Sequence, residues 1–419
     1  MNAIEVSKEM LRFIDESPTA FHAVANAEAM LKEAGFELLV DQQIVHGGKY
    51  YEKRNNSSII AFEIPEGEFE GFRVVSSHSD SPCFKIKENP EMKVNGQYVK
   101  LNTERYGGIV MFPWLDRPLS AAGRVIVKEN GKLVEKLVNF KKDLLIIPNL
   151  PIHYSRDLNE GFKPNAQVDM LPLMAMDQDC TLKKLCAQQL GVAEEDILGS
   201  DLYVYNRDQG RIMGADDSLV GAPRLDDLQC AFATLKGFLC AKPGKYVSIY
   251  ALFDNEESGS TTKQGANSPF ITDIIDDVIE SFGMTLRQKK HLLANSFMLS
   301  ADNAHALHPN HPEKYDSVNH PYINGGVVLK FSGSQKYTTD GASAAVVRDI
   351  CKEHNIKLQN QANRSDIAGG STLGNILMAQ AAFPAADIGF AQFAMHSAFE
   401  TAGVEDTLSM VELVKYFMS

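Results

Sequence analysis

Four stretches of this chain end a short apolar run on residues able to bind a cation or move a proton. Phe72–Ser77 runs into His78-Ser79-Asp80-Ser81-Pro82, and Val247–Phe253 into Asp254-Asn255-Glu256-Glu257. Phe297–Ala301 runs into Asp302-Asn303-Ala304-His305, and Phe390–Met395 into His396-Ser397. Arg224-Leu225-Asp226-Asp227, just before a helical pattern, can supply more carboxylate. Mixed imidazole and carboxylate ligands suit zinc or another first-row divalent ion. Two histidines and three carboxylates exceed the needs of one zinc with an open position. They suit two ions about 3.5–4 Å apart that share a bridging carboxylate, lower the pKa of a water and polarise a carbonyl. Asp80 can orient the imidazole of His78. The neighbouring Glu256 and Glu257 point different ways, so one can bind metal while the other holds a proton. Each piece alone has an ordinary reading: a surface His-x-Asp, a solvated Glu pair, a helix N-cap at Asp302, loop histidines at 305 and 308, a core His396. Their joint placement carries the weight.

The elements that must position these groups read as alternating strands and helices. Open α/β sheets bind ligands beyond the carboxyl ends of their strands, so four strand ends converge on one crevice. Ile4, Met10, Leu11 and Ile14 are spaced for one helix face, and Phe21–Leu31 reads as a second helix. Lys49–Arg54 and Ser58–Ile64 flank Asn55-Asn56-Ser57 as a hairpin. From about residue 88 to 222 helical periodicity is mostly absent, apart from Thr181–Leu190, and Arg124–Lys128 and Lys132–Leu137 flank a tight Asn130-Gly131 turn. That stretch reads as a β-rich domain inserted into the first. After residue 223 helices are expected at 228–239, 270–279, 342–353 and 372–382, with strands at 247–253, 297–301, 327–331 and 388–393. The fold class is α/β, a central mixed sheet flanked by helices. Residues 1–87 and 223–419 form one discontinuous catalytic domain, and 88–222 the insertion.

Composition narrows the function. A net charge of −13 over 419 residues leaves no basic excess to neutralise nucleic-acid phosphates. The longest apolar run, Val247–Phe253, is far too short to span a bilayer. The first residues, MNAIEVSKEMLRFIDE, are amphipathic and acidic, unlike a signal peptide. Six cysteines without C-x-x-C pairs read as free thiols of a reducing compartment. The expectation is a cytoplasmic protein that engages neither nucleic acid nor membrane.

At the same residues the chain resembles the aspartyl aminopeptidase family of zinc metallopeptidases, together with its vacuolar aminopeptidase relatives. The matching segments run nearly end to end. They include Phe13 to His22 (FIDESPTAFH), His78 to Pro82, Tyr106-Gly107-Gly108, Trp114 to Arg117, Leu119 to Arg124 and Ile147 to His153. Phe162 to Asn165, Arg224 to Asp227, Asp254 to Ser260, Asp302 to Asn310, and Met395-His396-Ser397 with Glu400 complete the set. Asp227 stands where the family usually has Asn, Lys336 where it has Arg, Ala368-Gly369-Gly370 in place of a Cys-Gly segment, and Ala398-Phe399 before Glu400 in place of Ile-Arg.

The resemblance implies a dimetal exopeptidase that removes N-terminal residues, favouring Asp and Glu. It implies two divalent ions per subunit, zinc with cobalt or manganese as substitutes. His78 and Asp302 would hold one ion, Glu257 and His396 the other, and Asp226 would bridge them. Glu256 would be the general base, and Asp80 would steady His78. His153, His305, Lys330 and Tyr337 would contact the peptide, with Lys330 the first candidate to receive an acidic side chain. His153 would reach a neighbouring subunit's site, because the family forms dimers that build a dodecamer. The alternatives are a related aminopeptidase of neutral or broad specificity, a catalytically inactive self-assembling scaffold, and a dimetal amidohydrolase acting on small acyl-amino acids.

Overall fold

The computed structural model describes residues 2–242 and 244–419. Nine strands form one mixed sheet, in the order Glu37–Leu38, Lys49–Arg54, Ser58–Glu63, Val247–Phe253, Phe72–His78, Phe297–Ala301, Ala385–Gly389, Val327–Phe331 and Leu358–Ala362. At its centre Phe72–His78 lies between Val247–Phe253 and Phe297–Ala301, and both run parallel to it. These three strands are almost entirely buried, as expected where helices cover both faces of a sheet. The two-residue period of a strand divides their side chains between two cores. Val75, Leu252 and Leu299 pack in the same core as the helices Ala3–Asp15, Leu225–Cys240 and Val404–Met418. Val74, Phe253 and Met298 pack on the opposite face, with the helices Phe270–Ser281 and Leu373–Ala381. Each such side chain contributes about 1.5–3 kcal/mol on full burial, so the central strands have little freedom to move relative to one another.

A second sheet of six strands runs in the order Lys132–Asn139, Leu119–Glu129, Ile197–Asn206, Cys83–Val94, Tyr98–Tyr106 and Leu173–Ala175. Its pairings are antiparallel, and its own core contains Phe84, Leu101, Trp114, Val125 and Leu202. The tight turn between Leu119–Glu129 and Lys132–Asn139 has positive φ at Asn130 (50°) and Gly131 (78°), which matches the twist of a hairpin. The expected boundary at residue 88 falls inside the strand Cys83–Val94.

A third, five-stranded sheet joins Arg211–Met213, Leu219–Ala222, Glu400–Gly403, Ala391–Phe393 and Ala304–His305. Here the structure corrects one expected strand. Residues 388–393 do not form a single strand: Ala385–Gly389 belongs to the central sheet and Ala391–Phe393 to the small one. The crossing occurs where Gly389 meets the backbone of Asp302, since a Cβ at Gly389 would lie 2.0 Å from the Asp302 carbonyl oxygen. The helix Leu286–Ala294 leaves no periodic signal because it buries none of its residues. Among the described residues no helix is long and apolar enough to cross a membrane.

Candidate metal centre

The three central parallel strands end side by side. His78 closes its strand, Asp302 follows Phe297–Ala301 directly, and Glu256 and Glu257 lie in a short 3-10 turn just after Val247–Phe253. Neighbouring strands are about 4.8 Å apart, so their last residues meet in one crevice. Asp226 enters from the start of the helix Leu225–Cys240, where Asp226 and Asp227 are still non-helical. His396 comes from the loop between the small-sheet strands Ala391–Phe393 and Glu400–Gly403.

The ligand atoms converge. Asp226 Oδ1 lies 3.5 Å from His78 Nε2, and Asp226 Oδ2 lies 3.2 Å from His396 Nε2. Glu257 Oε1 is also 3.2 Å from His396 Nε2. Three groups have donor atoms within 4.8 Å of one another: His78, Asp226, Asp227 and Asp302; His78, Glu256 and Glu257; and Asp226, Glu257 and His396. Asp226 belongs to two of them and turns one oxygen toward each imidazole.

Surrounding groups fix this arrangement. The Asp80 carboxylate accepts hydrogen bonds from the backbone N–H of Glu256 and Glu257, both at 3.1 Å, and from the Tyr106 hydroxyl at 2.6 Å. Its Oδ1 also lies 3.3 Å from His78 Nδ1. One residue thus holds the His78 ring and the backbone of both glutamates. His396 has a left-handed backbone, φ 67°, uncommon for a residue with a Cβ. Its N–H donates to Glu400 Oε1 at 2.7 Å, its carbonyl accepts from Val110 N–H at 3.0 Å, and Nδ1 pairs with the Gly108 carbonyl at 3.1 Å. That carbonyl fixes the proton on Nδ1 and leaves Nε2 as the ligand atom. Gly107 and Gly108 permit this close approach: a Cβ would lie 3.0 Å from Glu257 Cβ at the first and 3.1 Å from His396 Nδ1 at the second.

The groups of the centre perturb one another's charges. Burial, reinforced by neighbouring carboxylates, pushes the carboxyls of Glu256, Glu257 and Asp302 upward. Burial opposes charge on Asp226 too, but His396 and His78 outweigh it and hold that carboxyl below the ordinary range. Burial likewise disfavours charge on His78, and the Asp227, Asp226 and Asp80 carboxylates overcome it to raise the imidazole's pKa. Asp226 Oδ1 and Asp227 Oδ1 are buried and accept no hydrogen bond. Orphaned buried acceptors beside imidazole nitrogens, in an excess of carboxylate, fit a divalent cation.

Of the expected site residues, His78, Asp80, Asp226, Glu256, Glu257, Asp302 and His396 lie together. His305 is exposed, and its pKa is lowered by its crowded surroundings and by the charge of Lys330. Tyr337 is buried, with the Lys330 ammonium 5.0 Å from its ring centroid. Lys330 does not present a free cation. It is 1% exposed, donates to the Asp302 carbonyl at 2.8 Å, and lies 3.6 Å from Asp302 Oδ2. It supports Asp302 from behind. His153 is exposed on a loop and belongs to none of the converging groups.

Sequence reasoning named Asp227 only as a departure from the family's Asn and gave it no role, although its Oδ2 accepts from His78 N–H at 3.1 Å; it also left Glu400, Gly107 and Gly108 without roles. A glutamate inside the apolar stretch around Ala402–Val404 was the available signal for Glu400.

Comparison with known proteins agrees with this geometry. Residues 13–418 match the Aminopeptidase I zinc metalloprotease (M18) family. A probable M18 family aminopeptidase 2 from Clostridium acetobutylicum is 43% identical over 97% of this chain and 96% of its own length. Among solved structures, Ape4 in its complex with Nbr1 superposes with a TM-score of 0.96 at 30% identity, covering 99% of this chain and 86% of that one. The S. cerevisiae mApe1 dodecamer gives a TM-score of 0.88 at 26% identity, covering 100% and 97%. With a zinc-type donor set at the carboxyl ends of its central strands and relatives matched along almost its whole length, the chain belongs to the M18 family of zinc metalloproteases and is a hydrolase of the aminopeptidase kind.

Proposed function

We propose that the protein removes N-terminal residues from peptides, favouring Asp and Glu, with two divalent ions held by His78, Asp226, Glu257, Asp302 and His396. The observation that carries this reading is Asp226, whose two oxygens address two different imidazoles while Oδ1 lacks a hydrogen-bond partner. When bound, paired ions lower the pKa of a water and polarise the scissile carbonyl. Glu256 takes the proton of the attacking water on its carboxylate and returns it to the leaving amine. Its burial, and the carboxylates of Asp302, Glu257 and Asp80 around it, increase its hold on that proton. Asp80 keeps His78 and both glutamates in register. His305 supplies a hydrogen bond to the oxyanion.

Acidic preference draws support from a cleft of about 240 Å³ lined by His305, Lys314, His320 and Arg364, together with Asp316. Self-association into dimers and a dodecamer draws support from the mApe1 dodecamer. Leu150, Ile152, Tyr154 and Val168, exposed on the same segment as His153, offer an apolar contact surface for it. In this reading residues 88–222 serve dimerisation, and His153 completes a neighbour's site. The unpaired cysteines suit the cytoplasm.

The test is release of aspartate, glutamate and leucine from matched chromogenic substrates, before and after chelation and with zinc, cobalt or manganese restored. Metal-restored cleavage of the acidic substrates is expected. Cleavage of leucine alone would remove the acidic preference and keep the mechanism. Glu256→Gln should retain metal and lose at least about a hundredfold in kcat; near-normal turnover would refute its role as base.

A further inference from the structure

Glu400 is 1% exposed and lies outside every group of converging donor atoms. Both of its oxygens are nevertheless committed to residues of the centre: Oε1 accepts from His396 N–H at 2.7 Å, and Oε2 from Asp226 N–H at 3.0 Å. We propose that Glu400 is a positioning residue of the metal centre, whose one carboxylate sets the spacing between the backbones of Asp226 and His396. The inference rests on the reading of those two residues as ligands of a shared ion.

Asp226 and His396 are 170 positions apart in sequence and arrive on different elements. The strand Glu400–Gly403 pairs with Leu219–Ala222, with Ala222 opposite Glu400. That pairing brings the chain leading into Asp226 beside the loop carrying His396. Strand pairing alone does not fix the loop, because His396 has φ 67°, and such a conformation persists only when its surroundings over-determine it. Glu400 supplies one of those determinants. Both N–H groups point to the same carboxyl group, one to each oxygen. Glutamine would set an NH2 against one of the two donors. Aspartate, one methylene shorter, would not span both.

A matched control separates positioning from general support of the fold. Asp406 is also fully buried and also accepts two backbone N–H groups, from Asn324 and Gly326, both at 2.8 Å, with no metal-capable group involved. Wild type, Glu400→Gln, Glu400→Ala and Asp406→Asn would be loaded with zinc and desalted, and zinc release to a chelating dye followed, with thermal melts in parallel. Cobalt-loaded samples would give the ligand-field spectrum. We expect Glu400→Gln to release zinc about tenfold or more faster than wild type, with an altered cobalt spectrum. Asp406→Asn should change the melt yet release zinc at the wild-type rate. Wild-type release kinetics in Glu400→Gln would overturn the proposal, as would equal acceleration in Asp406→Asn. If Glu400→Ala does not fold, the isosteric Gln variant carries the comparison. A wild-type protein that takes up no zinc, cobalt or manganese would overturn the underlying metal reading together with it.

Discussion

Replacing Lys330 with Met separates two roles that sequence alone cannot distinguish. Were the ammonium to receive an acidic side chain, its loss would raise KM for Asp and Glu substrates and leave the fold alone. The structure instead has it buried at 1% exposure, donating to the Asp302 carbonyl and 3.6 Å from the Asp302 carboxylate. Removing one partner of a buried pair costs about 3–5 kcal/mol, because the other charge is left uncompensated. Unfolding entropy of about 2.1 cal/mol/K per residue amounts to about 0.9 kcal/mol/K for this chain, so the midpoint should fall by about 3–6 °C. Calorimetry of the chelated, metal-free protein, in which no cation compensates Asp302, measures that shift. Kinetics on matched glutamyl, aspartyl and leucyl substrates should show kcat/KM falling by a similar factor for all three, since the injury is to Asp302 and not to a specificity pocket. A Lys330→Met protein that melts within about 1 °C of wild type and loses affinity only for acidic substrates would refute the reasoning.

Two further outcomes follow from particular contacts. Gly107→Ala must adopt φ +71° with a Cβ 3.0 Å from Glu257 Cβ; the left-handed conformation costs about 1–2 kcal/mol, and displacement of Glu257 should lower kcat/KM at least about tenfold, so full activity would show that the contact is relieved elsewhere. Asp406 has its carboxyl pushed up to about 7 by burial, against the backbone hydrogen bonds from Gly326 and Asn324. Its folded pKa therefore lies above its unfolded value of 3.8, and its protonated form favours the fold. That contribution is complete below pH 3.8, declines as pH rises toward about 7, and is flat above. Denaturant melts at pH 5 and pH 8 should show wild type losing about 2–3 kcal/mol relative to Asp406→Asn; a pH-independent difference would contradict the buried, proton-holding state.

Much of the centre was legible because apolar runs that end in His, Glu or Asp mark buried strands opening onto a crevice. Val247–Phe253, Phe297–Ala301 and Val327–Phe331 were placed to the residue, since strands buried on both faces carry largely apolar sequence, broken here only by Ser248, Ser300 and Lys330. The run at 388–393 misled for the same reason: both of its halves are buried, so hydropathy does not register the passage from one sheet to another at Gly389 and Phe390. Lys330 is ambiguous in sequence, because a lysine in a motif near a catalytic crevice looks the same whether its ammonium meets substrate or a backbone carbonyl. Glu400 and Gly108 act through backbone hydrogen bonds between distant segments, and local spacing does not encode such partners.

Gly108 and Val110 tie His396 to the second sheet. His78 and Asp302 stand at the ends of central-sheet strands, whereas Nδ1 and the carbonyl of His396 are held by the segment that follows Tyr98–Tyr106. The two halves of the centre therefore rest on different sheets. A shift of the second sheet against the first would move His396 relative to His78 while leaving each half intact by itself.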